Sequence, residues 1–247
     1  VDPNVVSCRG LAGLHLRLLG RFELCREGRP LHLSPASERL LAYLGIRSEP
    51  VGRGTAAAEL WPGCTDVRAA ANLRSALWRL AGHLPDELVV SSAYRLALDG
   101  RVSVDIHDLA RQLGPAGAGP LSGVDASMLR QDVLPEWPED WLTGPREWFR
   151  QIRLHALEAL CGRYRDDGRL DAALEAGITA VAADPLRESA HRQLALVHIE
   201  EGNFAEALRQ YDVYRKLVRT ELGLPPSPRF RRLIGPLLGR PLDGLAP

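Results

Sequence analysis

Residues 66–98 constrain this chain more than any other stretch, because they read as one long amphipathic helix, a brief stop and a β-hairpin. At about 100° per residue, Ala69, Ala70, Leu73, Ala76, Leu77, Leu80 and Leu84 fall on one apolar stripe. The opposite face carries Arg68, Ala71, Asn72, Ser75, Arg79 and Gly82, with Arg74 and Trp78 on its shoulder. No acid stands between Arg68 and Leu84. A DNA major groove accepts such a face: long cations reach phosphate or guanine, an amide can read adenine, and small residues allow close approach. The runs 88–91 and 94–98 would form a wing beside the helix.

An arginine-bearing face is more often merely solvated, so the neighbouring elements have to decide. Two shorter helical segments precede this helix. Ser34 caps the first, with Pro35 at its first position. Thr55 caps the second, which ends at Trp61-Pro62-Gly63. Before them, residues 14–19, 22–24 and 31–33 alternate in the manner of strands around a Glu27-Gly28 turn. Strands, three helices and a hairpin are the order of a winged helix-turn-helix with an N-terminal sheet. A further short strand at 102–105 leads into a helix that Asp105 caps.

The segment Gly114-Pro-Ala-Gly-Ala-Gly-Pro120 is a flexible break. Beyond it, residues 125–142 hold one short helix and the acidic, Trp-rich run Glu136-Trp-Pro-Glu-Asp-Trp141. From about residue 145 to 238 the pattern is helical throughout. Gly168-Arg-Leu-Asp-Ala-Ala-Leu174 aligns with Gly202-Asn-Phe-Ala-Glu-Ala-Leu208 at an offset of 34 residues, the tetratricopeptide period. One repeat starts near Leu154 and the next near Glu188. Two repeats leave exposed ends, so capping helices are expected before Leu154 and at 228–238. The fold class is therefore mainly α with a small β part: a winged helix-turn-helix domain at 14–113, then an all-α tetratricopeptide-like repeat domain at 125–240.

Composition limits the function classes. The net charge is zero, and the basic excess is local to the 66–83 helix, with three Arg and one Asp. The only lysine, Lys216, is not in a phosphate-binding loop, and the histidines form no metal motif. His191 and His198, at i and i+7, read as repeat-packing residues. No nucleophile–base arrangement stands out, so no enzyme, catalytic residue, metal or cofactor is expected. Cys8, Cys25, Cys64 and Cys161 lack metal spacing, and most should be free buried thiols. No apolar run approaches the ~20 residues of a membrane span, and Asp2, Pro3 and Asn4 do not suit a signal peptide. A cytoplasmic protein is expected. With only about 13 residues before Leu14, a phosphorylated receiver domain is not expected either.

Taken together, Leu18-Leu-Gly-Arg-Phe-Glu23, Ala70-Ala-Asn-Leu-Arg-Ser-Ala-Leu-Trp-Arg-Leu80, Tyr94-Arg-Leu96, Val104-Asp105, Arg150-Gln-Ile-Arg-Leu-His-Ala-Leu-Glu-Ala-Leu160 and Glu221-Leu-Gly-Leu-Pro-Pro-Ser227 resemble the Streptomyces antibiotic regulatory proteins. The match covers nearly all of 14–238. The resemblance implies a winged-helix domain joined to a bacterial transcriptional activation domain. It also implies a pathway-specific activator of secondary-metabolite genes, one that binds direct repeats in double-stranded DNA beside a second copy of itself and engages RNA polymerase holoenzyme. Large members carry an ATPase module, for which no motif is seen here. Two departures stand out: Ala93 replaces the usual glycine of the wing, and 114–135 is short and rich in Gly and Pro. On the helix-and-wing reading, Arg68, Asn72, Ser75 and Arg79 face the groove, while Arg74, Tyr94 and Arg95 suit the phosphate backbone. The rival is a repeat-type protein-interaction scaffold whose winged helix makes protein contacts instead.

Overall fold

The computed structural model describes residues 13–83, 88–114, 121, 123–124 and 126–239. Close contacts divide the chain into two compact units. One takes the residues up to Leu109 together with Asp132–Phe149. The other takes Ala110–Gln131 and everything from Arg150 onward.

In the first unit the alternating runs become β1 (Leu14–Arg17), β2 (Glu23–Arg26) and β3 (Arg29–Leu31). They pair antiparallel, Leu16 opposite Leu24 and Leu24 opposite Leu31. Glu27 and Gly28 both have positive φ, 47° and 73°, the signature of the two-residue I′ turn whose twist suits a hairpin. After them come α1 (Pro35–Ile46), β4 (Val51–Gly52), α2 (Arg53–Leu60), α3 (Asp66–His83), β5 (Val89–Ser91), β6 (Arg95–Leu98), β7 (Val102–Val104) and α4 (Asp105–Leu113). β7 joins β1 in parallel, so the first sheet runs β3-β2-β1-β7, and the second runs β4-β6-β5.

Ser34 caps α1 through the Ser37 amide, with Pro35 in the first turn, as the sequence indicates. α1 lies directly on β1 at Gly45, where a Cβ would come 2.5 Å from Leu16 Cδ2. α2 corrects the sequence reading: it starts at Arg53 behind Gly52, not behind Thr55. The reason is long-range. Val51 and Gly52 are held extended by β6, and the helix begins as soon as that pairing ends.

Asp105 does more than cap. Its Oδ1 accepts from the Ile106 amide at 2.7 Å and from Leu18 N at 2.9 Å, and its Oδ2 accepts from Leu19 N at 2.9 Å. One carboxylate thus closes the end of β1 onto the start of α4. Its pKa is raised: burial pushes it up, and the three amides and the Arg17 charge offset only part of that.

The acidic, Trp-rich run packs with this first unit. Leu19 bridges Val133, Gly20 N donates to Asp132 O, and Leu134 N donates to Leu18 O. Trp137 stacks on Phe22 with ring centroids 5.9 Å apart, and Trp141 meets the Tyr43 ring edge-on at 5.3 Å. Arg39 donates to both Leu60 O and Glu139, each at 2.7 Å. Sequence order puts this run with the helical domain; in the fold its two half-buried indoles pack on residues of the first unit.

The second unit is built from most of α5 (Thr143–Asp166), then α6 (Leu170–Ala183), α7 (Glu188–Glu200), α8 (Phe204–Leu222) and α9 (Pro228–Ile234). The 34-residue repeat is visible atom by atom. Arg169 N donates to Tyr164 O at 2.7 Å, and Asn203 N donates to His198 O at 2.8 Å. Gly168 and Gly202 both sit at φ 72°, the left-handed C′ position where glycine escapes the Cβ penalty. Ala173 and Ala207 occupy equivalent, fully buried places. The expected cap before Leu154 is not a separate helix, because α5 runs unbroken from Thr143. The cap at the other end is α9, whose Phe230 packs between Tyr211 and Tyr214.

His191 is buried, as a packing residue should be. Its Nε2 lies 2.9 Å from Pro185 O, and its Nδ1 lies 2.6 Å from Gln210 Nε2. One neutral tautomer satisfies both contacts, with Nε2–H donating and Nδ1 accepting, and burial lowers the pKa in the same sense. His198 is partly exposed and reaches Glu201 instead.

Cys161 is buried and free, with burial pushing its thiol pKa up to about 11. Cys64 is free and half-buried. Cys25 is disulfide-bonded, an exception to the expectation that most of the four are free. Cys8, Leu84 and, beyond Gly114, the 114–120 break lie outside the described residues.

The packing of the repeats makes a first prediction. Ala173→Leu or Ala207→Leu forces a branched side chain into a closed helix crossing and should cost about 1–3 kcal/mol. Urea unfolding followed by far-UV circular dichroism measures it. Unchanged midpoints in both variants would mean that these alanines do not mark tight crossings.

Candidate nucleic-acid interface

The helix-turn-helix begins where α2 stops. Trp61 N still donates to Ala57 O at 3.0 Å, but Pro62 has no amide to continue the ladder, and Cys64 N turns back to Trp61 O at 3.1 Å. The first bond of α3 runs from Ala69 N to Thr65 O at 2.8 Å. Asp66, in the first turn, suits the positive end of the helix dipole. Ala69, Leu73, Ala76 and Leu80 are buried against α1 and α2, with Ala70 and Leu77 half-buried at the edges. This is the stripe read from the periodicity.

The outward face holds Arg68, Arg74, Ser75 and Arg79, all exposed. Among the described residues, no carboxylate pairs with any of the three arginines. The two neutral polar residues of that face are already engaged within the fold. Ser75 Oγ donates to Ala71 O at 3.0 Å, and the half-buried Asn72 turns its amide toward Cys64 Sγ at 3.9 Å. The arginines are therefore the donors this face presents outward.

The wing is β5 and β6, with Ser91 opposite Leu96. Its tip is Ala93-Tyr94, closed by Ser92 N donating to Arg95 O at 2.9 Å. Ala93 is absent from the positive-φ residues, so this turn does not need a glycine there. The Ser92 hydroxyl supports it instead, accepting from Arg95 N at 3.0 Å and Tyr94 N at 3.4 Å. Tyr94 stands 84% exposed and Arg95 is exposed beside it.

A brace between helix and wing was not legible in the sequence. Arg53 N, at the start of α2, donates to Tyr94 O at 2.9 Å, and its guanidinium donates to Ser91 Oγ at 2.8 Å. Also unmarked in the sequence is Val67, which is 80% exposed at the first turn of α3; Trp78 is 78% exposed.

In the second unit, a shallow open depression is lined by Ala126, Ser127, Tyr164, Arg169, Ala172 and Glu175. Its charges are engaged: Arg169 lies over the Tyr164 ring at 4.5 Å, and Glu175 pairs with Arg130 at 2.7 Å. No group of three or more potential metal ligands occurs among the described residues. No helix among them is long and apolar enough to cross a membrane.

Residues 119–238 match the bacterial transcriptional activator domain. Over 238 residues the chain is 31% identical to the regulatory protein AfsR of Streptomyces coelicolor, covering 89% of this chain and 24% of that protein. Over 244 residues it is 29% identical to AfsR of Streptomyces griseus, covering 87% and 24%. It thus spans about a quarter of the length of these curated relatives. Mycobacterium tuberculosis EmbR, solved in complex with a low affinity phosphopeptide, shares the fold. The TM-score is 0.73 at 22% identity, over 94% of this chain and 67% of that one.

Proposed function

We propose that this chain, which belongs to the Streptomyces antibiotic regulatory protein family, is a sequence-specific DNA-binding transcriptional activator. The observation that carries this reading is the outward face of α3. It holds three exposed arginines with no acid among its outward-facing residues beyond the first turn, next to a wing that ends in Tyr94 and Arg95. Such a face has a natural counter-charge in a phosphate backbone and natural partners in guanine edges.

On this reading residues 14–113 bind DNA and residues 125–240 are the activation domain, with Asp132–Phe149 bracing the first. Arg68 and Arg79 reach base edges, together with whatever contacts Asn72 and Ser75 retain. Arg74, Tyr94 and Arg95 meet phosphates. Two copies bind a direct repeat head to tail, with half-sites about one helical turn (~10–10.5 bp) apart, and the activation domain engages RNA polymerase holoenzyme. The genes are those of a secondary-metabolite cluster, and the protein works in the cytoplasm.

The test is enrichment of a randomised duplex pool on the full chain, followed by footprinting of the winning sequence. The expected result is one enriched motif repeated in the same orientation. Failure to retain any duplex at low salt would overturn the reading.

A further inference from the structure

α3 turns apolar side chains outward as well as arginines. Val67 is 80% exposed and Trp78 is 78% exposed. They are eleven residues apart, which at about 100° per residue brings them within ~20° of each other around the helix. Ala71 and Arg74 fall on the same line. Single exposed apolar residues need no explanation, but a valine and a tryptophan share one exposed line of α3 with Arg74, on the shoulder beside the Arg68–Arg79 face. Its surroundings decide what covers it. An apolar protein surface would strip water from Arg68, Arg74 and Arg79 with no opposite charge to receive them, which is costly. A DNA groove offers phosphates for the arginines and, within the same reach, the thymine 5-methyl for an apolar side chain.

We propose that Val67 recognises thymine through its 5-methyl group, with Trp78 lying against the sugar–phosphate wall of the groove. α3 then reads thymine as well as guanine. Position along the helix assigns the two roles. Eleven residues span about 16 Å along the axis, more than the ~12 Å width of the major groove, so both side chains cannot meet the same base pair. The N-terminal residues of a recognition helix reach base edges, and Val67 lies in the first turn. This inference rests on the DNA-binding reading above and adds a base preference to it.

The experiment uses the full chain and the enriched duplex, resynthesised with deoxyuridine in place of each thymine in turn. That exchange removes one methyl group and leaves every hydrogen bond intact. Wild type should lose roughly fourfold in affinity at one thymine position, the effect of one buried methyl. Val67→Ser should bind the thymine and uracil duplexes equally there, Val67→Ile should keep the preference, and Trp78→Ser should weaken both duplexes alike. Val67 is exposed, so these variants should keep the wild-type melting temperature. If no thymine position is sensitive, or if Val67→Ser keeps the preference, the inference is overturned while DNA binding stands. If no duplex is enriched, both fall together.

Discussion

Asp105→Ala should lower the stability of the first unit by about 3 kcal/mol. The carboxylate takes three backbone amides, and two of them, from Leu18 and Leu19, come from a strand end 87 and 86 residues away in sequence. Each buried donor left without an acceptor costs about 1–3 kcal/mol. The Ile106 amide, in the first turn of α4, is the one that water can most easily reach. Asp105→Asn should be nearly as damaging, because one of its two side-chain groups is itself a donor and would face an N–H. All five tryptophans of the chain lie in the first unit, so their emission during urea unfolding reports this loss without interference from the helical repeats. A fall of less than 1 kcal/mol would mean that solvent takes over the acceptor role at that junction.

On DNA, Arg68→Ala or Arg79→Ala should cost about 1–3 kcal/mol on the cognate site, or roughly 5- to 150-fold in affinity. The same substitutions should change little on a scrambled duplex, because a base reader contributes to discrimination and a phosphate contact does not. The structure gives these two residues this weight. They are exposed and unpaired among the described residues, whereas Ser75 and Asn72 of the same face already have partners in Ala71 and Cys64. Ser75→Ala and Asn72→Ala should accordingly have smaller effects on discrimination than either arginine. Equal losses on cognate and scrambled duplexes would reassign Arg68 and Arg79 to the backbone.

What the sequence disclosed is what short-range rules encode. The buried stripe of α3 follows from helical periodicity, the cap at Ser34 from its neighbour Pro35, and the hairpin turn at Glu27-Gly28 from the tolerance of glycine for positive φ. The 34-residue repeat is legible because Gly168 and Gly202 have the same backbone task in successive helical hairpins. What stayed hidden depends on partners distant in sequence. Asp105 looks like an ordinary helix cap until β1 is seen to end on it. Thr55 looks like a cap until β6 is seen to hold Val51 and Gly52 extended. The Trp137 and Trp141 run follows a Gly/Pro-rich break, which suggests a new domain, yet those half-buried indoles pack on Phe22 and Tyr43. At the candidate interface, charge pattern located the arginines. It could not show that Ser75 and Asn72 bond within the fold, that Arg53 braces the wing, or that Val67 is exposed beside Arg68.

The central claim, that the arginine face of α3 is the surface that meets DNA, is tested most directly by the salt dependence of binding. Affinity of the full chain for its enriched duplex should be measured over a salt series for wild type, Arg74→Ala, Arg95→Ala and the double variant. Each phosphate contact releases condensed counterions, so the slope of log affinity against log salt should fall by about one for each single variant and about two for the pair. A wild-type slope in all three variants would contradict the claim and place DNA on a different face of the molecule.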